Sequence, residues 1–591
     1  MSGQSFTFEG RSVPFRPGQS VGAAVWAAGD RTLRTTRGEA DPRGLFCGIG
    51  ICHDCLVVID DVGDQRACIT PAEEGMVVRV QQGAVPPPAV AAAGHVGPGE
   101  LLTTEVVVIG GGPAGMAAAA AATAGGAKVV LLDAEARVGG QYWRHGPHGL
   151  GAQHHAVEAF TALRTAVDGA AAIGLLTHRP RHRVWRVDPE GGRVVVHAVQ
   201  ACGGAGGEAG GEAGGGRPDG GGERPVTVAA TAVVIATGAH DTVLPFPGWD
   251  LPGVLAAGGA QALLKEHQVL PGRRVVVAGT GPFLLSLAAG LAQAGAEVAA
   301  VFEAGDGRGW ARRWRSATAV PRALIEGAQY AATLARQRIP VRARHIVVAA
   351  RGRDRLEAVE VARLTGEGRL VPGSARWVRA DALAVGWGFT PRLELAQQAG
   401  CTLGVSHAIG PAGAAAVVAD AEGRTGVPGV YVAGEVGGIG GAPLAQVTGR
   451  LAGSAAAAWV RGVPSAPDGA ELAERRRLSA FAATMHAAHP VPPGWVEALT
   501  PSTIVCRCEE VPADRLRHVV RELGATDPRT AKLLSRCGMG WCQGRVCGTA
   551  VDRLVADVTG RRPGGFVDAR PVAAPVRLAS LLDPADTPRP S

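Results

Sequence analysis

Cysteine placement is the sequence feature that most constrains this chain. Of 11 cysteines, nine fall in two windows, from Cys47 to Cys68 and from Cys506 to Cys547. Residues Met1 to Arg11 contain no apolar stretch of the kind that secretory signals carry, so we expect a cytoplasmic protein. Because disulfides are rare in reducing compartments, both windows are predicted to bind metal.

The first window has plant-type ferredoxin spacing. Cys47, Cys52, Cys55 and Cys68 follow C-x4-C-x2-C-x12-C. Gly48 and Gly50 let the backbone wrap closely around four converging thiolates. A four-thiolate zinc site is the alternative, but such sites favour two CxxC pairs and this window holds one. We therefore predict that these four cysteines hold a [2Fe–2S] cluster.

A dinucleotide-binding motif follows the first window. The strand Val106 to Ile109 leads into G-x-G-x-x-G, which is followed by an Ala-rich helix, a second strand and an acid. The glycines permit a tight turn and close approach of a pyrophosphate, and the acid can accept hydrogen bonds from a ribose. The motif residues are Gly110, Gly112, Pro113, Ala114, Gly115 and Asp133.

Three further segments favour FAD over NAD. They are Gly139-Gly140-Gln141, the run V-V-I-A-T-G ending at Thr237-Gly238, and V-Y-V-A-G-E ending at Gly434-Glu435. Together with the first motif they resemble the two-dinucleotide-binding flavoproteins of the pyridine nucleotide–disulfide reductase-like fold. The resemblance implies bound FAD, with the last acid on the ribityl chain. No cysteine lies between Cys68 and Cys202, which argues against disulfide-reductase chemistry.

A second nucleotide motif begins after Arg274. It reads Gly279-Thr280-Gly281-Pro282-Phe283-Leu284, and Glu303 ends the next strand. Leu284 replaces the third glycine, which normally permits close packing between helix and strand. NAD binding through Glu303 is one interpretation. We favour the other, a Rossmann scaffold that does not turn over nicotinamide.

The second cysteine window resembles another iron–sulfur family. Cys506-Arg507-Cys508 is followed after 33 intervening residues by Cys542-x4-Cys547, with two predicted helices between. This pattern resembles the bacterioferritin-associated ferredoxin-like [2Fe–2S] domain, which usually closes with C-x2-C. The predicted ligands are Cys506, Cys508, Cys542 and Cys547, with Cys537 as a possible substitute and a zinc site as the alternative.

These motifs predict a multi-domain chain. It combines a β-grasp ferredoxin-like domain, an α/β two-dinucleotide-binding flavoprotein fold and a small helical [2Fe–2S] domain. The predicted boundaries are 1–90 for the ferredoxin-like domain, 104–250 and 401–465 for the FAD-binding domain, 251–400 for the second Rossmann domain, 466–500 for a helical linker, 501–560 for the second cluster domain and 561–591 for a tail.

Composition excludes other classes of function. The net charge of +7 is not concentrated in a basic block with interleaved aromatics, so nucleic-acid binding is not expected. The apolar runs are either interrupted by glycines or too short to span a membrane, so the chain is not expected to be transmembrane.

The order of the motifs resembles one group of bacterial amine-oxidising complexes. Gly44-Leu45-Phe46-Cys47-Gly48-Ile49-Gly50, Gly434-Glu435-Val436-Gly437-Gly438 and the run from Gly538 to Arg545 are similar to subunits of hydrogen cyanide synthase, opine oxidase and D-hydroxyproline dehydrogenase. They are also similar to the sarcosine oxidase α subunit.

The resemblance implies an electron-transfer subunit of an amine or amino-acid dehydrogenase. Its partner would be a D-amino-acid-oxidase-like flavoprotein, and its electron acceptor a protein or a quinone. A free-standing NAD(P)H-dependent reductase is the alternative. A flavin-free iron–sulfur interaction protein is the third hypothesis.

Overall fold

The computed structural model describes residues 4–85, 99–147, 149–150, 156–201, 223–313, 316, 318, 320–405, 414–565, 570–577 and 581. Within these ranges, no helix combines the length and the apolar character that crossing a bilayer requires.

A mixed sheet packed against a short helix forms the N-terminal unit. Its elements are β1 (Ser5–Phe8), β2 (Arg11–Pro14), α1 (Val21–Ala27), β3 (Arg34–Thr35), β4 (Pro42–Arg43), β5 (Leu56–Ile59), β6 (Val62–Arg66) and β7 (Val77–Gln82). The sheet order is β2-β1-β7-β3-β4, with β1 parallel to β7. Glu9 and Gly10 both have positive φ, which gives the β1–β2 hairpin its two-residue turn. This is the predicted β-grasp ferredoxin-like arrangement.

The first nucleotide unit alternates buried strands with helices. Its elements up to residue 235 are β8 (Glu100–Thr103), β9 (Val106–Ile109), α2 (Pro113–Ala124), β10 (Val129–Leu132), α3 (Val157–Ala172), β11 (Leu176–Arg179), β12 (His182–Glu190), β13 (Arg193–Ala201), β14 (Glu223–Ala230) and β15 (Ala232–Ile235). Strands β9, β10 and β15 are buried on both faces, as their continuous Val, Ile and Leu runs require in a parallel sheet.

The second nucleotide unit follows directly in the chain. Its elements are β16 (Ala239–Asp241), β17 (Val254–Ala256), α4 (Ala257–His267), β18 (Arg274–Gly279), α5 (Phe283–Gln293), β19 (Glu297–Glu303), α6 (Arg308–Arg312), α7 (Pro321–Arg336), β20 (Val341–Ala343), β21 (His345–Arg351), β22 (Ala358–Arg363), β23 (Arg376–Arg379), β24 (Ala382–Gly386), β25 (Phe389–Pro391) and α8 (Glu394–Gln398). Its parallel sheet has the order β17-β24-β18-β19-β20.

The chain then returns to complete the first nucleotide unit. The returning elements are β26 (Leu403–Val405), β27 (Ala415–Val417), β28 (Val430–Val432), a 3-10 turn (Gly434–Gly437) and α9 (Gly441–Val460). Strand β28 pairs with β15 and closes the parallel order β11-β10-β9-β15-β28. Helix α9 lies so close to α2 that a Cβ at Gly449 or Gly453 would overlap with α2 carbonyl oxygens. Glycine at these two positions permits the contact. The fold is therefore the predicted two-dinucleotide-binding α/β architecture.

A connector and a small helical unit complete the described fold. Their elements are α10 (Gly469–Ala488), α11 (Gly494–Glu497), β29 (Ile504–Cys506), β30 (Val511–Pro512), α12 (Ala513–Arg521), α13 (Pro528–Ser535) and α14 (Gly548–Thr559). One continuous hydrophobic core contains Phe46 and Cys52 of the N-terminal unit, Trp249 of the second nucleotide unit, and Cys506 and Val551 of the C-terminal unit. Three sequence-distant units are thus packed together where both cysteine windows lie.

Candidate functional site

A glycine cradle forms where β9 runs into α2. Gly110 has a φ of 106°, and a Cβ at Gly115 would overlap with the Gly110 carbonyl oxygen. Gly112 occupies the N-cap of α2 and offers no side chain to the first N–H groups of that helix. Those N–H groups and the helix dipole suit a pyrophosphate.

Asp133 lies beside this cradle and is only 5% exposed. Its Oδ1 accepts a hydrogen bond from Glu135 N at 3.2 Å, while Oδ2 has no hydrogen-bond partner among the described residues. Burial, with the nearby Glu135 carboxylate, raises the pKa of Asp133 to about 7, although the backbone N–H groups of Glu135 and Gly111 oppose the shift. The Gly111 N–H is near the carboxylate but is not aligned as a hydrogen bond to Oδ2. A buried oxygen without a partner fits the ribose hydroxyls of a dinucleotide.

The segment after Asp133 closes over the cradle. Gly139 N donates to the Gly111 carbonyl at 2.7 Å. A Cβ at Gly140 would lie 2.8 Å from Gly112 Cα, so the two backbones meet closely. The exposed Gln141 accepts from the buried Arg144 guanidinium at 3.2 Å.

The two later flavin-type segments flank the same region. Thr237 Oγ1 donates to the Arg392 carbonyl at 2.9 Å, and Gly238 has a positive φ. Glu435 Oε1 accepts from Gly441 N at 2.8 Å, at the start of α9, and from Gly440 N. Burial raises the pKa of Glu435 to about 7, although these two N–H donors oppose the shift. Glu435 therefore caps a helix in addition to any contact with a cofactor.

Glu303, which could read an NAD ribose, is engaged by protein groups. Thr280 Oγ1 and Gly305 N donate to its Oε1, and Gly281 N donates to its Oε2 at 2.9 Å. His489, just after α10, places Nδ1 3.4 Å from Oε1. Because Trp310 Nε1–H donates to His489 Nε2 at 3.0 Å, the proton of a neutral ring lies on Nδ1 and points to Glu303. Sequence reasoning missed His489 and Trp310.

The sulfur atoms of the first cysteine window form a continuous group. Cys47 contacts Cys52 and Cys68, and Cys68 also contacts Cys55. Burial alone would raise the pKa of the Cys47 thiol, yet its contacts with Cys52 and Cys68 hold that pKa well below the ordinary value. Burial and the contact with Cys47 raise the pKa of the Cys52 thiol, and the contact with Cys47 also raises the pKa of the Cys68 thiol. The convergence of four sulfur atoms suits a metal site.

The second window brings five sulfur atoms together. The Sγ atoms of Cys506, Cys537 and Cys547 lie within 4.8 Å of one another. Cys508 contacts both Cys506 and Cys542. Contacts with Cys508, Cys537 and Cys547 hold the pKa of the Cys506 thiol well below its ordinary value. The four predicted ligands form an unbroken series of contacts in the order Cys542, Cys508, Cys506 and Cys547. Cys537 contacts Cys506 and Cys547.

Two charged residues connect the windows and were not predicted as site residues. Asp54 stands between Cys52 and Cys55, and Arg507 stands between Cys506 and Cys508. Arg507 Nε lies 2.8 Å from Asp54 Oδ2, and both side chains are almost completely buried. The signal in the sequence was their position inside the cysteine motifs.

Strand β16 connects the flavin-type segment to both windows. It begins directly after Gly238. Asp241 Oδ1 accepts from Gly258 N at 3.0 Å, and the next residue, Gly259, packs against the Cys47 backbone. Burial lowers the pKa of His240 to about 4, so its ring is neutral and Nε2–H donates to the Arg545 carbonyl at 3.0 Å. Arg545 lies between Cys542 and Cys547.

Comparison with known proteins agrees with this arrangement. The family model described as pyridine nucleotide-disulphide oxidoreductase matches residues 104–452, and a 2Fe-2S iron-sulfur cluster binding domain matches residues 4–83.

Among curated relatives, hydrogen cyanide synthase subunit HcnB of Pseudomonas protegens is 34% identical over 376 residues, which cover 62% of this chain and 78% of that protein. An opine oxidase subunit of Agrobacterium tumefaciens is 34% identical over 367 residues, covering 60% of this chain and 70% of that protein. The predicted resemblance to these two groups is confirmed.

Among solved structures, L-proline dehydrogenase from P. horikoshii superposes with a TM-score of 0.70 at 20% identity, covering 98% of each chain. At this level of identity the similarity concerns the fold alone.

Proposed function

Because the chain belongs to the pyridine nucleotide–disulphide oxidoreductase family and is an FAD- and 2Fe–2S-type oxidoreductase, we propose that it is the electron-transfer subunit of an amine or amino-acid dehydrogenase complex. The observation that carries the proposal is the position of β16. Its residues His240 and Asp241 connect the flavin-type segment to both cysteine windows.

FAD would be held by the residues that the sequence predicts. The glycine cradle and the N-terminus of α2 would bind the pyrophosphate, and Asp133 Oδ2 would accept from the ribose. Gly140, Thr237, Gly238, Gly434 and Glu435 line the same cradle or flank it. We also propose the domain boundaries predicted from the sequence, except that residues 239–250, which include β16, are grouped with the second nucleotide unit.

Two [2Fe–2S] clusters would be held by the cysteine windows. The ligands would be Cys47, Cys52, Cys55 and Cys68 in the first window, and Cys506, Cys508, Cys542 and Cys547 in the second. When bound, FAD accepts electrons in pairs and releases them singly, while such clusters carry one electron at a time. The chain would therefore convert a two-electron oxidation into single-electron transfers.

The oxidation itself would occur on a separate partner protein, which would be a D-amino-acid-oxidase-like flavoprotein. Conversion of a CH–NH group into C=N releases two electrons and two protons. The two electrons would pass through this chain either to a quinone, which takes up two protons on its reduction, or to an acceptor protein, with the two protons released to water. The names of the hydrogen cyanide synthase and opine oxidase relatives, which are subunits of larger enzymes, support this assignment.

The engagement of Glu303 weighs against a free-standing NAD(P)H reductase. Its carboxylate accepts from Thr280, Gly281 and Gly305 and faces His489. Burial would raise the pKa of Glu303, yet hydrogen bonds from His489 and Thr280 hold that pKa below its ordinary value. A ribose would have to displace these donors.

The test uses the full chain purified without oxygen. We expect about four iron, about four sulfide and about one FAD per chain if both windows hold clusters. The chain alone should oxidise no amine, and adding the partner flavoprotein should restore dye-linked oxidation. Robust amine oxidation by the chain alone would refute the proposal, and flavin bleaching by NADH within seconds would favour the reductase.

Two matched variants test the ligand set of the second window. We expect Cys537→Ala to retain about four iron, because the other four sulfur atoms remain in contact. Cys542→Ala should retain about two. The opposite pattern would make Cys537 a ligand in place of Cys542.

A further inference from the structure

We propose that Asp54 and Arg507 are a pair of positioning residues that holds the two cluster loops together and sets the reduction potentials of both clusters. The inference rests on the proposed function, because it requires a cluster in each window. Neither Asp54 nor Arg507 has a role in the proposed function described above.

Each cysteine loop contributes one member of the pair. Asp54 lies between two predicted ligands of the first cluster, and Arg507 lies between two predicted ligands of the second. The side chains are 1% and 3% exposed, and Arg507 Nε lies 2.8 Å from Asp54 Oδ2. The two atoms are not aligned as a hydrogen bond, so the pair acts through charge. Because both side chains are buried, moving either loop would leave a charge without its partner.

Aromatic side chains hold the Arg507 guanidinium in place. Its central carbon lies 4.0 Å from the centroid of the Phe46 ring and 4.7 Å from that of Trp249. Its Nη1 also donates to the Trp249 carbonyl at 2.8 Å. Phe46 immediately precedes Cys47, and Asp54 immediately precedes Cys55. The guanidinium therefore contacts both ends of the first cysteine loop, which runs from Cys47 to Cys55.

The buried charge around the pair is not balanced, because a second arginine contacts the same carboxylate. Arg34, also buried, places Nη2 3.0 Å from Asp54 Oδ1. Two guanidinium groups therefore share one carboxylate, and the neighbouring buried Arg43 has its own partner in Asp250. A buried net positive charge is left between the loops. Thiolate-ligated clusters are anionic and become more so on reduction, so this charge stabilises the reduced form on either side.

The two ligand sets also touch directly. Cys508 Sγ lies 3.9 Å from the Cys52 carbonyl oxygen. This contact lies beside the ion pair, because Cys508 follows Arg507 and Cys52 precedes His53 and Asp54. A change at Asp54 or Arg507 should therefore affect both clusters at once.

The experiment is an anaerobic redox titration of the full holoprotein, followed by electron paramagnetic resonance. Arg507→Met removes the positive charge and keeps much of the side-chain volume. We expect it to lower both midpoint potentials by at least a tenfold change in the reduction equilibrium, about 59 mV for a one-electron couple. Asp54→Asn should shift both potentials upward, because it leaves two guanidinium groups without a carboxylate.

The opposite signs separate an electrostatic role from general disruption. Arg507→Lys keeps the charge and should move both potentials less than Arg507→Met. Arg11→Met is the matched control, because Arg11 forms an exposed pair with Asp30 in the N-terminal unit. If Arg507→Met loses iron, the Asp54→Asn and Arg507→Lys proteins carry the test.

The outcomes distinguish the inference from the proposed function. Wild-type protein with about two iron instead of four would overturn the two-cluster assignment before any variant is made. Four iron with unchanged potentials in both charge-removing variants would overturn the inference alone. A shift confined to one cluster, or a shift of the same sign in Arg507→Met and Asp54→Asn, would overturn it as well.

Discussion

Replacing Asp133 with asparagine should make the flavin-free protein more stable at neutral pH while weakening its binding of FAD. The side chain is 5% exposed, and its Oδ2 has no hydrogen-bond partner in the part of the chain that the structure describes. Without a ribose to bind, an ionised carboxylate at this position is destabilising. Asparagine keeps the shape and removes the charge.

The size and the pH window follow from the pKa. Burial raises the pKa of Asp133 from 3.8 to about 7. Because the folded state holds this proton more tightly than the unfolded state, the contribution to stability is complete below pH 3.8 and is lost as the pH rises to about 7. A pKa difference of one corresponds to about 1.4 kcal/mol, so the upper limit of the loss is about 4 kcal/mol.

Two measurements test this reasoning. The first is denaturation of flavin-free wild-type and Asp133→Asn protein between pH 4 and pH 8, in which the variant should gain relative stability as the pH rises. The second is FAD binding. Ribose hydroxyls favour the ionised carboxylate, so wild-type affinity should increase with pH up to about 7, by at most tenfold per pH unit. The variant should bind more weakly, and its affinity should show a smaller pH dependence.

Asp168→Asn is the matched control, because Asp168 is exposed on α3 and pairs with Arg164. It should change neither measurement. A stability difference between wild type and Asp133→Asn that is constant from pH 4 to pH 8 would refute the reasoning. So would FAD affinity in the wild type that is equally strong at pH 5 and pH 7.5.

Two glycine substitutions test the cradle and the second cysteine window. Gly115→Ala should abolish FAD retention, because its Cβ would overlap with the Gly110 carbonyl oxygen. The control, Gly169→Ala at an exposed position of α3, should retain FAD and raise the free energy of unfolding by about 0.5–1 kcal/mol. Flavin content and denaturation midpoints measure both effects, and equal flavin content in the two variants would contradict the expectation. Gly540→Ala should lose about half of the iron, because its Cβ would overlap with the Cys508 side chain; unchanged iron would show that the loop adapts.

The parts of the molecule that the sequence predicted are those that depend on local spacing. The ferredoxin spacing, the strand–glycine–helix motif and the acid after β10 are each contained in a short stretch of chain. Their geometry follows from backbone constraints that act within a few residues, such as the close approach at Gly115. The fold class, which depends on the order of such stretches, was predicted for the same reason.

The parts that the sequence did not predict depend on contacts between distant residues. Pairing of Asp54 with Arg507 and of Glu303 with His489 requires the three-dimensional arrangement of separate units. The motif around Glu303 indicated a nucleotide site, but nothing within it indicates that a histidine beyond α10 would face the same carboxylate. The sequence named Cys537 only as a substitute ligand, because its proximity to Cys506 and Cys547 depends on how α13 and the following turn pack.

The contact between Cys508 and the Cys52 carbonyl joins residues that are 456 positions apart in the chain. At translation rates of about 5–20 residues per second, the first cysteine loop leaves the ribosome roughly 20–90 seconds before the second. During this interval Cys55 and Cys68 can pack in a core formed by the N-terminal and second nucleotide units, whereas Cys47 and Cys52 lack the C-terminal part of their core. The face of the first cysteine loop that contacts Cys508 is therefore covered only after the end of the chain has been synthesised.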